Sequence, residues 1–252
     1  MCTVVLLLRP GHPWPLLLAA NRDEMLSRPW RPPAAHWPDR PGVVAGLDEL
    51  AGGSWLGVND EGVVAAVLNR RHSLGPAEGM RSRGELVLEA LDHGDAAEAA
   101  NALAALDPRA YRSFNLVVAD NSGAFWLRHS GPEAARIEKF EVEPGCSMVT
   151  AYDCNDVASA RIADNLPRFR AAPPPDPESG DWEAWKALLA RRSDDAEEDG
   201  RERAMCVVTD YGFGTSSSSL IALPAVQNTA ANPLWLFASG APGSAPFQPV
   251  VL

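Results

Sequence analysis

Two runs, Val4-Val5-Leu6-Leu7-Leu8 and Val63-Val64-Ala65-Ala66-Val67-Leu68, are apolar at every position, and they constrain the fold more than any other feature of the chain. A strand with one wet face alternates apolar and polar residues, so an uninterrupted apolar strand has both faces buried. The turns nearby nevertheless belong to hairpins. Asn59-Asp60-Glu61-Gly62 and Asp120-Asn121-Ser122-Gly123 carry residues that accept positive φ and bond their own backbone. One way to bury both faces of antiparallel strands is to pack two sheets together and cover their outer faces with helices. The expected fold class is therefore α+β, a four-layer αββα sandwich of two antiparallel sheets.

Strands are expected at 3–8, 16–20, 54–58, 63–68, 115–119, 124–128, 148–151, 205–209, 218–223 and 234–237. The first two pair through Pro10-Gly11-His12-Pro13. For the helical cover, Ser82-Arg83-Gly84-Glu85 reads as a capping box before Leu86, and 96–106 follows in alanine-rich helix code. Residues 159–169 form a further helix that Pro167 should end or kink, and Trp182, Trp185, Leu188 and Leu189 make a helical stripe. The proline-rich stretch 171–177 is a stiff surface loop, and 193–203 is a charge-rich solvated segment. Neither marks a boundary, so residues 1–252 are expected to form a single domain.

The charge of −11 disfavours a nucleic-acid or anionic-membrane binder. No apolar run reaches the length of a membrane span, so no stable membrane insertion is expected. The start, Met-Cys-Thr-Val-Val, lacks a basic leader and reads as mature structure rather than a signal peptide. Four cysteines without a C-x-x-C pair fit reduced thiols in a cytoplasmic compartment. The five histidines form no ligand array, so no metal and no resident cofactor is called. Oligomeric state is left open.

Cys2 is the most informative position for chemistry. Removal of Met1 leaves a thiol and a free α-amine on one residue, with reference pKa values of about 8.5 and about 7.7 to 8.0, so a nucleophile carries its own base. Alone, Cys2 reads first as a buried cysteine opening an edge strand. Pairing of the first two strands brings Arg22 near the chain start, where a guanidinium favours thiolate, and Asp23 can orient that guanidinium or accept from the amine; the bland alternative is a surface ion network. Asn69 ends the buried run from Val63, placing an amide where an oxyanion could be its partner. Trp30, Trp37 and Trp55 line an apolar acyl pocket or the core, and 29–41 is the loop that would cover such a pocket.

Together Cys2, Asn21-Arg22-Asp23-Glu24, Trp55-Leu56-Gly57-Val58-Asn59, Asn69-Arg70, Ser82-Arg83-Gly84-Glu85, Phe114-Asn115-Leu116 and the glycine- and serine-rich run at 212–219 resemble the NRDE (transport and Golgi organization protein 2) family, itself similar to N-terminal nucleophile hydrolases of the choloylglycine hydrolase and penicillin V acylase type. The resemblance implies an N-terminal nucleophile hydrolase-like fold, with Cys2 as nucleophile, Arg22 and Asp23 as its tuning pair and Asn69 as oxyanion donor. This chain departs from the pattern in three places. Arg22 and Asp23 are adjacent where the acylases separate them by two residues, Ala151 stands where those enzymes carry Asn, and Ser216 takes the place of an Arg found in many NRDE members.

Two functions follow. One is a cysteine amide (C–N) hydrolase or acyl transferase acting on a small acyl amide. The other, implied by the family's links to lipid and haem handling, is a non-catalytic carrier or chaperone of a hydrophobic small molecule such as haem or lipid. In both, the partner is a small-molecule substrate or ligand.

Overall fold

The opening hairpin forms as its apolar runs dictate. β1 (Thr3–Leu8) and β2 (Leu16–Met25) pair antiparallel, with Leu8 opposite Leu16 and Thr3 opposite Asn21. Between them Gly11 takes φ of 81°, a region that residues with a Cβ rarely hold. β2 continues past the expected end at Ala20. It is flanked on its far side by a later strand, so Asn21–Glu24 lie within the sheet and not in a loop beyond it.

The computed structural model describes residues 2–192, 202–228 and 231–252. It divides into two compact units, one of Met1–Arg28 with Pro144–Val250, the other of Pro29–Glu143 with Val251–Leu252. Met1 and residues 193–201 of the charge-rich segment 193–203 lie outside the described residues.

The second unit holds β3 (Trp30–Ala34), β4 (Val43–Asp48), β5 (Leu56–Asn59), β6 (Val64–Asn69), α1 (Gly84–Ala90), α2 (Ala96–Ala104), β7 (Phe114–Ala119), β8 (Ala124–His129) and β9 (Glu138–Glu141). Its seven strands form one antiparallel sheet in chain order. The hairpins expected at 59–62 and 120–123 are present. Asp120 Oδ1 accepts from the amides of Ser122 and Gly123, and Gly62 closes its turn at φ of 85°. Part of the loop expected over 29–41 is instead edge strand β3, whose register slips between Arg31 and Ala34. An edge position and an irregular register let Pro32 and Pro33 sit in a strand without removing needed donors.

The capping box at Ser82 does not form. The Ser82 hydroxyl accepts from Gly84 N at 3.2 Å, and Glu85 is drawn outward to Arg81 Nε at 2.8 Å. α2 is capped instead by Asp95, which accepts from Glu98 N at 2.7 Å. Both helices bury their apolar stripes against Val43, Ala45, Val63, Ala65, Leu116 and Val118. Leu56, Ala66, Leu68 and Val117, on the opposite face, are buried too.

The chain then returns to the first unit as β10 (Gly145–Val149), α3 (Ala160–Ala171), α4 (Glu183–Leu189), β11 (Phe213–Leu223), β12 (Leu234–Ala238) and β13 (Gln248–Pro249). The sheet order is β10-β1-β2-β11-β12-β13, with every pairing antiparallel. α3 and α4 cover the face that carries Val5, Leu17, Ala19, Met148, Leu220 and Ala222. Val4, Leu6, Leu16 and Leu18 on the other face are buried as well, which is the two-sided burial required by an unbroken apolar run. α3 runs through Pro167; Ile162, Leu166 and Phe169 anchor it to the core on either side of the proline. The strand expected at 205–209 is absent except for a single bridge between Val208 and Gly214. Side chains have taken two of its backbone groups: Asn21 Nδ2 donates to Met205 O at 2.9 Å, and Thr215 Oγ1 accepts from Val207 N at 2.8 Å.

Candidate active site

The end of β2 places four consecutive polar residues in different surroundings because strand side chains alternate faces. Asn21 and Asp23 follow Leu17 and Ala19 onto the face covered by α3 and α4. Asn21 is buried, donates to Leu189 O at 3.0 Å and Met205 O at 2.9 Å, and accepts from Ser218 Oγ at 2.6 Å. It is a structural staple between the sheet, the end of α4 and the segment that follows. Glu24 is partly exposed, and its carboxylate accepts from Met25 N at 2.8 Å.

Asp23 is the electrostatic centre. Its side chain is out of water, with Oδ2 accepting from Arg161 Nη1 at 3.0 Å and Oδ1 from Thr215 Oγ1 at 2.7 Å. Burial works to raise this carboxyl, but the positive amino terminus of the chain, the Arg161 guanidinium and the Thr215 hydroxyl outweigh it and hold Asp23 below the usual carboxylate range. Arg22 is also buried. Its Nη1 donates to Ser216 Oγ at 3.2 Å, and that hydroxyl in turn donates to Arg22 O at 3.1 Å. A bulge makes this clasp. The β11 register shifts between Thr215 and Ser217, leaving Ser216 as the extra residue.

Cys2 lies at the head of β1, next to the Thr3–Asn21 pair, and its Sγ–H donates to the Asp23 carbonyl at 3.5 Å. Burial, followed by the Asp23 carboxylate, pushes the thiol above its ordinary value. The amino terminus, a backbone hydrogen bond at Asp23 and Arg22 pull the other way with less effect. The guanidinium expected to make a thiolate is thus present but is the weakest of these influences. The other three cysteines are free, and burial raises Cys146 and Cys154 to about 11.

Cys2, Arg22 and Asp23 are therefore brought together in the first unit. Asn69 belongs to the second, where it ends β6 opposite Phe114 and is half-buried. Its neighbour Arg70 turns to Asn115, whose Oδ1 accepts from Arg70 Nη1 at 2.7 Å and from Trp126 Nε1 at 3.1 Å. The tryptophans divide in the same unit. Trp37 packs against the helix-covered core and donates to Gly52 O at 3.2 Å, whereas half-buried Trp30 and Trp55 meet edge to face at 5.7 Å. Ala151 is buried just beyond β10.

Sequence reasoning missed Arg161 and gave Thr215 no part. Arg161 falls on the buried stripe of α3 with Ile162, Asn165, Leu166 and Phe169. An arginine at i and an asparagine at i+4 on an otherwise apolar stripe is a legible sign of a buried polar network, because such groups are seldom buried without partners. The serine-rich run from Gly214 to Ser219 is wholly strand, and its hydroxyls serve Asn21, Arg22 and Asp23 in turn.

The sequence profile of the Transport and Golgi organisation 2 family matches residues 1–157. Two homologues of Transport and Golgi organization protein 2 are similar over 112 residues: that of Bos taurus is 38% identical, covering 42% of this chain and 39% of its own length, and that of Homo sapiens is 36% identical, covering 43% and 40%. The chain thus spans about two fifths of the length of the curated relatives it matches. Among solved structures, penicillin V acylase from Agrobacterium tumefaciens aligns with TM-score 0.59 and 13% identity over 94% of this chain and 83% of its own. A Caenorhabditis elegans ortholog of N-acylethanolamine-hydrolyzing acid amidase aligns with TM-score 0.56 and 11% identity over 91% and 95%. A conjugated bile acid hydrolase variant from Clostridium perfringens aligns with TM-score 0.52 and 13% identity over 95% and 89%. These likenesses carry the fold, that of N-terminal nucleophile hydrolases. With the profile spanning more than half of the sequence, the chain belongs to the Transport and Golgi organisation 2 family.

Proposed function

We propose that this protein is a cysteine amide hydrolase or acyl transferase that uses Cys2, freed at its α-amine by removal of Met1, on a small apolar acyl amide. The observation that carries the reading is the Cys2 thiol donating to the Asp23 carbonyl at 3.5 Å, with Arg22 and Asp23 in the adjacent strand. Burial and the Asp23 carboxylate keep that thiol protonated near neutrality, so attack requires a base. An α-amine with a reference pKa of about 7.7 to 8.0 suits the task. Sulfur bonds to the carbonyl carbon while the thiol proton passes to the amine, which delivers it to the leaving nitrogen as the C–N bond breaks. Water then cleaves the thioester, giving the acid and restoring the thiol. Asn69 is included as oxyanion donor on the family resemblance alone. The proposal treats residues 1–252 as one domain and needs no metal or cofactor. Four unbridged thiols suit a reducing compartment, and the cytoplasm is the proposed location.

Intact mass together with turnover of an acyl-amide panel tests the reading. Loss of Met1 and turnover abolished by Cys2→Ala are expected. Retained Met1, or turnover that survives the substitution, overturns it.

A second reading, a carrier of a hydrophobic small molecule such as haem or lipid, is favoured by the same raised thiol and by the engagement of Arg22 with Ser216. It expects haem or fatty-acid binding that survives Cys2→Ala for a ligand that does not use the thiol, with no turnover in the wild type; for haem, an optical shift altered by a His or Cys2 substitution identifies the axial ligand.

A further inference from the structure

Arg161 is 1% exposed, and its guanidinium lies within the first unit's interior, where an unpaired charge is strongly disfavoured. One nitrogen, Nη1, makes two contacts: 3.0 Å to Asp23 Oδ2 and 2.9 Å to Thr3 Oγ1. Thr3 is the residue after Cys2, and Asp23 supplies the carbonyl that receives the Cys2 thiol. The helix that carries Arg161 is itself pinned. Ser159 caps it, accepting from Ile162 N at 3.4 Å, and Asn165 Nδ2 holds both Arg161 O at 2.9 Å and Arg203 O at 2.7 Å. A single side chain from α3 thus spans the head of β1 and the end of β2, the two segments between which the thiol sits.

We propose that Arg161 is a positioning residue for Cys2: by holding the Asp23 carboxylate and the Thr3 hydroxyl together, it fixes the head of β1 beside the Asp23 carbonyl and balances the carboxylate's charge next to the thiol. The inference rests on Cys2 being the reactive group. It assigns Arg161 no contact with substrate. The titratable groups around Asp23 include Cys2, Arg161, the amino terminus and the buried Cys206, whose thiol is raised by its own burial and, to a lesser degree, by Asp23. Arg22 acts on Cys2 from the same strand.

The experiment is the pH–rate profile of iodoacetamide alkylation at Cys2, read by peptide mass in wild type, Arg161→Gln, Arg161→Lys and the charge-neutral pair Arg161→Met with Asp23→Asn. Arg161→Gln is expected to move the Cys2 midpoint upward by about one pH unit, since an uncompensated carboxylate then faces the thiol. Lysine keeps the charge and is expected to return the midpoint to near wild type. An unchanged midpoint in folded Arg161→Gln, or a lysine variant displaced as far as glutamine, overturns the proposal. If Arg161→Gln does not fold, the neutral pair decides. A folded pair with a midpoint below wild type supports an action through Asp23, and a pair that also fails to fold makes Arg161 a general structural requirement and overturns the positioning role. A wild-type Cys2 that resists alkylation across the range removes the nucleophile reading and this inference together, whereas a reactive Cys2 with no Arg161 effect removes this inference alone.

Discussion

The Arg161 guanidinium and the Asp23 carboxylate meet at 3.0 Å with 1% and 0% of their side chains exposed. Such a pair is a weak source of net stability but a strong liability when broken, because the survivor is left charged in a low-dielectric interior. Asp23→Ala is expected to destabilise the protein by about 3–5 kcal/mol in urea denaturation. The pair also predicts an acid dependence. The folded-state value of Asp23 is depressed, so its contribution is present above the unfolded value of about 3.9 and is lost as pH falls through the folded value. A stability profile below pH 4 that is equally steep in Asp23→Asn would falsify this assignment.

Asn21 opens the Asn-Arg-Asp-Glu signature, yet its side chain is spent on holding the last carbonyl of α4, that of Leu189, and the Met205 carbonyl of the segment that follows. Asn21→Ala strands those carbonyls and the Ser218 hydroxyl, and is expected to lower stability by about 2–4 kcal/mol, since each unsatisfied buried group costs about 1–3 kcal/mol. Hydrogen exchange is expected to rise first near Met205. A uniform rise across the first unit would contradict the staple role.

His129 is buried in the second unit, where Nε2 donates to Tyr111 O at 3.1 Å and the ring packs 5.2 Å from Phe114. Burial is the main influence that lowers its pKa; Arg70 adds to it, while the carbonyls of Tyr111 and Pro108 oppose it. A histidine kept neutral by folding makes the unfolded state the better proton acceptor. Stability is therefore expected to decline as pH falls through about 6.5, the unfolded value, until the folded value is reached. Replacing His129 with Gln removes that slope. The check is the thermal midpoint from pH 7.5 to 5.5 in both proteins, and parallel curves would refute the assignment.

Gly46 sits against the Trp55 ring so closely that an added Cβ would lie well inside van der Waals contact with it. Gly46→Ala is expected to displace Trp55 from its edge-to-face contact with Trp30, at a cost of about 1–3 kcal/mol. Near-UV circular dichroism reads the tryptophan pair directly, and an unchanged spectrum would show that the ring keeps its place.

Local chemistry determined a large share of this structure. Unbroken apolar strands with Asn-Gly-type turns sufficed for antiparallel sheets buried on both faces, because backbone period and turn preference act over a few residues. The same reasoning singled out Cys2, Arg22 and Asp23, whose closeness follows from one hairpin register. It failed where distant groups compete. Residues 205–209 have strand composition, but Met205 O and Val207 N bond the side chains of Asn21 and Thr215, and Glu85 prefers Arg81 to a helix cap. Tertiary structure alone decided that Arg161 is the countercharge of Asp23, across 138 residues of sequence, and that the Ser216 bulge clasps Arg22. Burial decided the state of the thiol as well: desolvation and a neighbouring carboxylate outweigh the adjacent guanidinium, a balance set by which groups share an interior and not by their order along the chain.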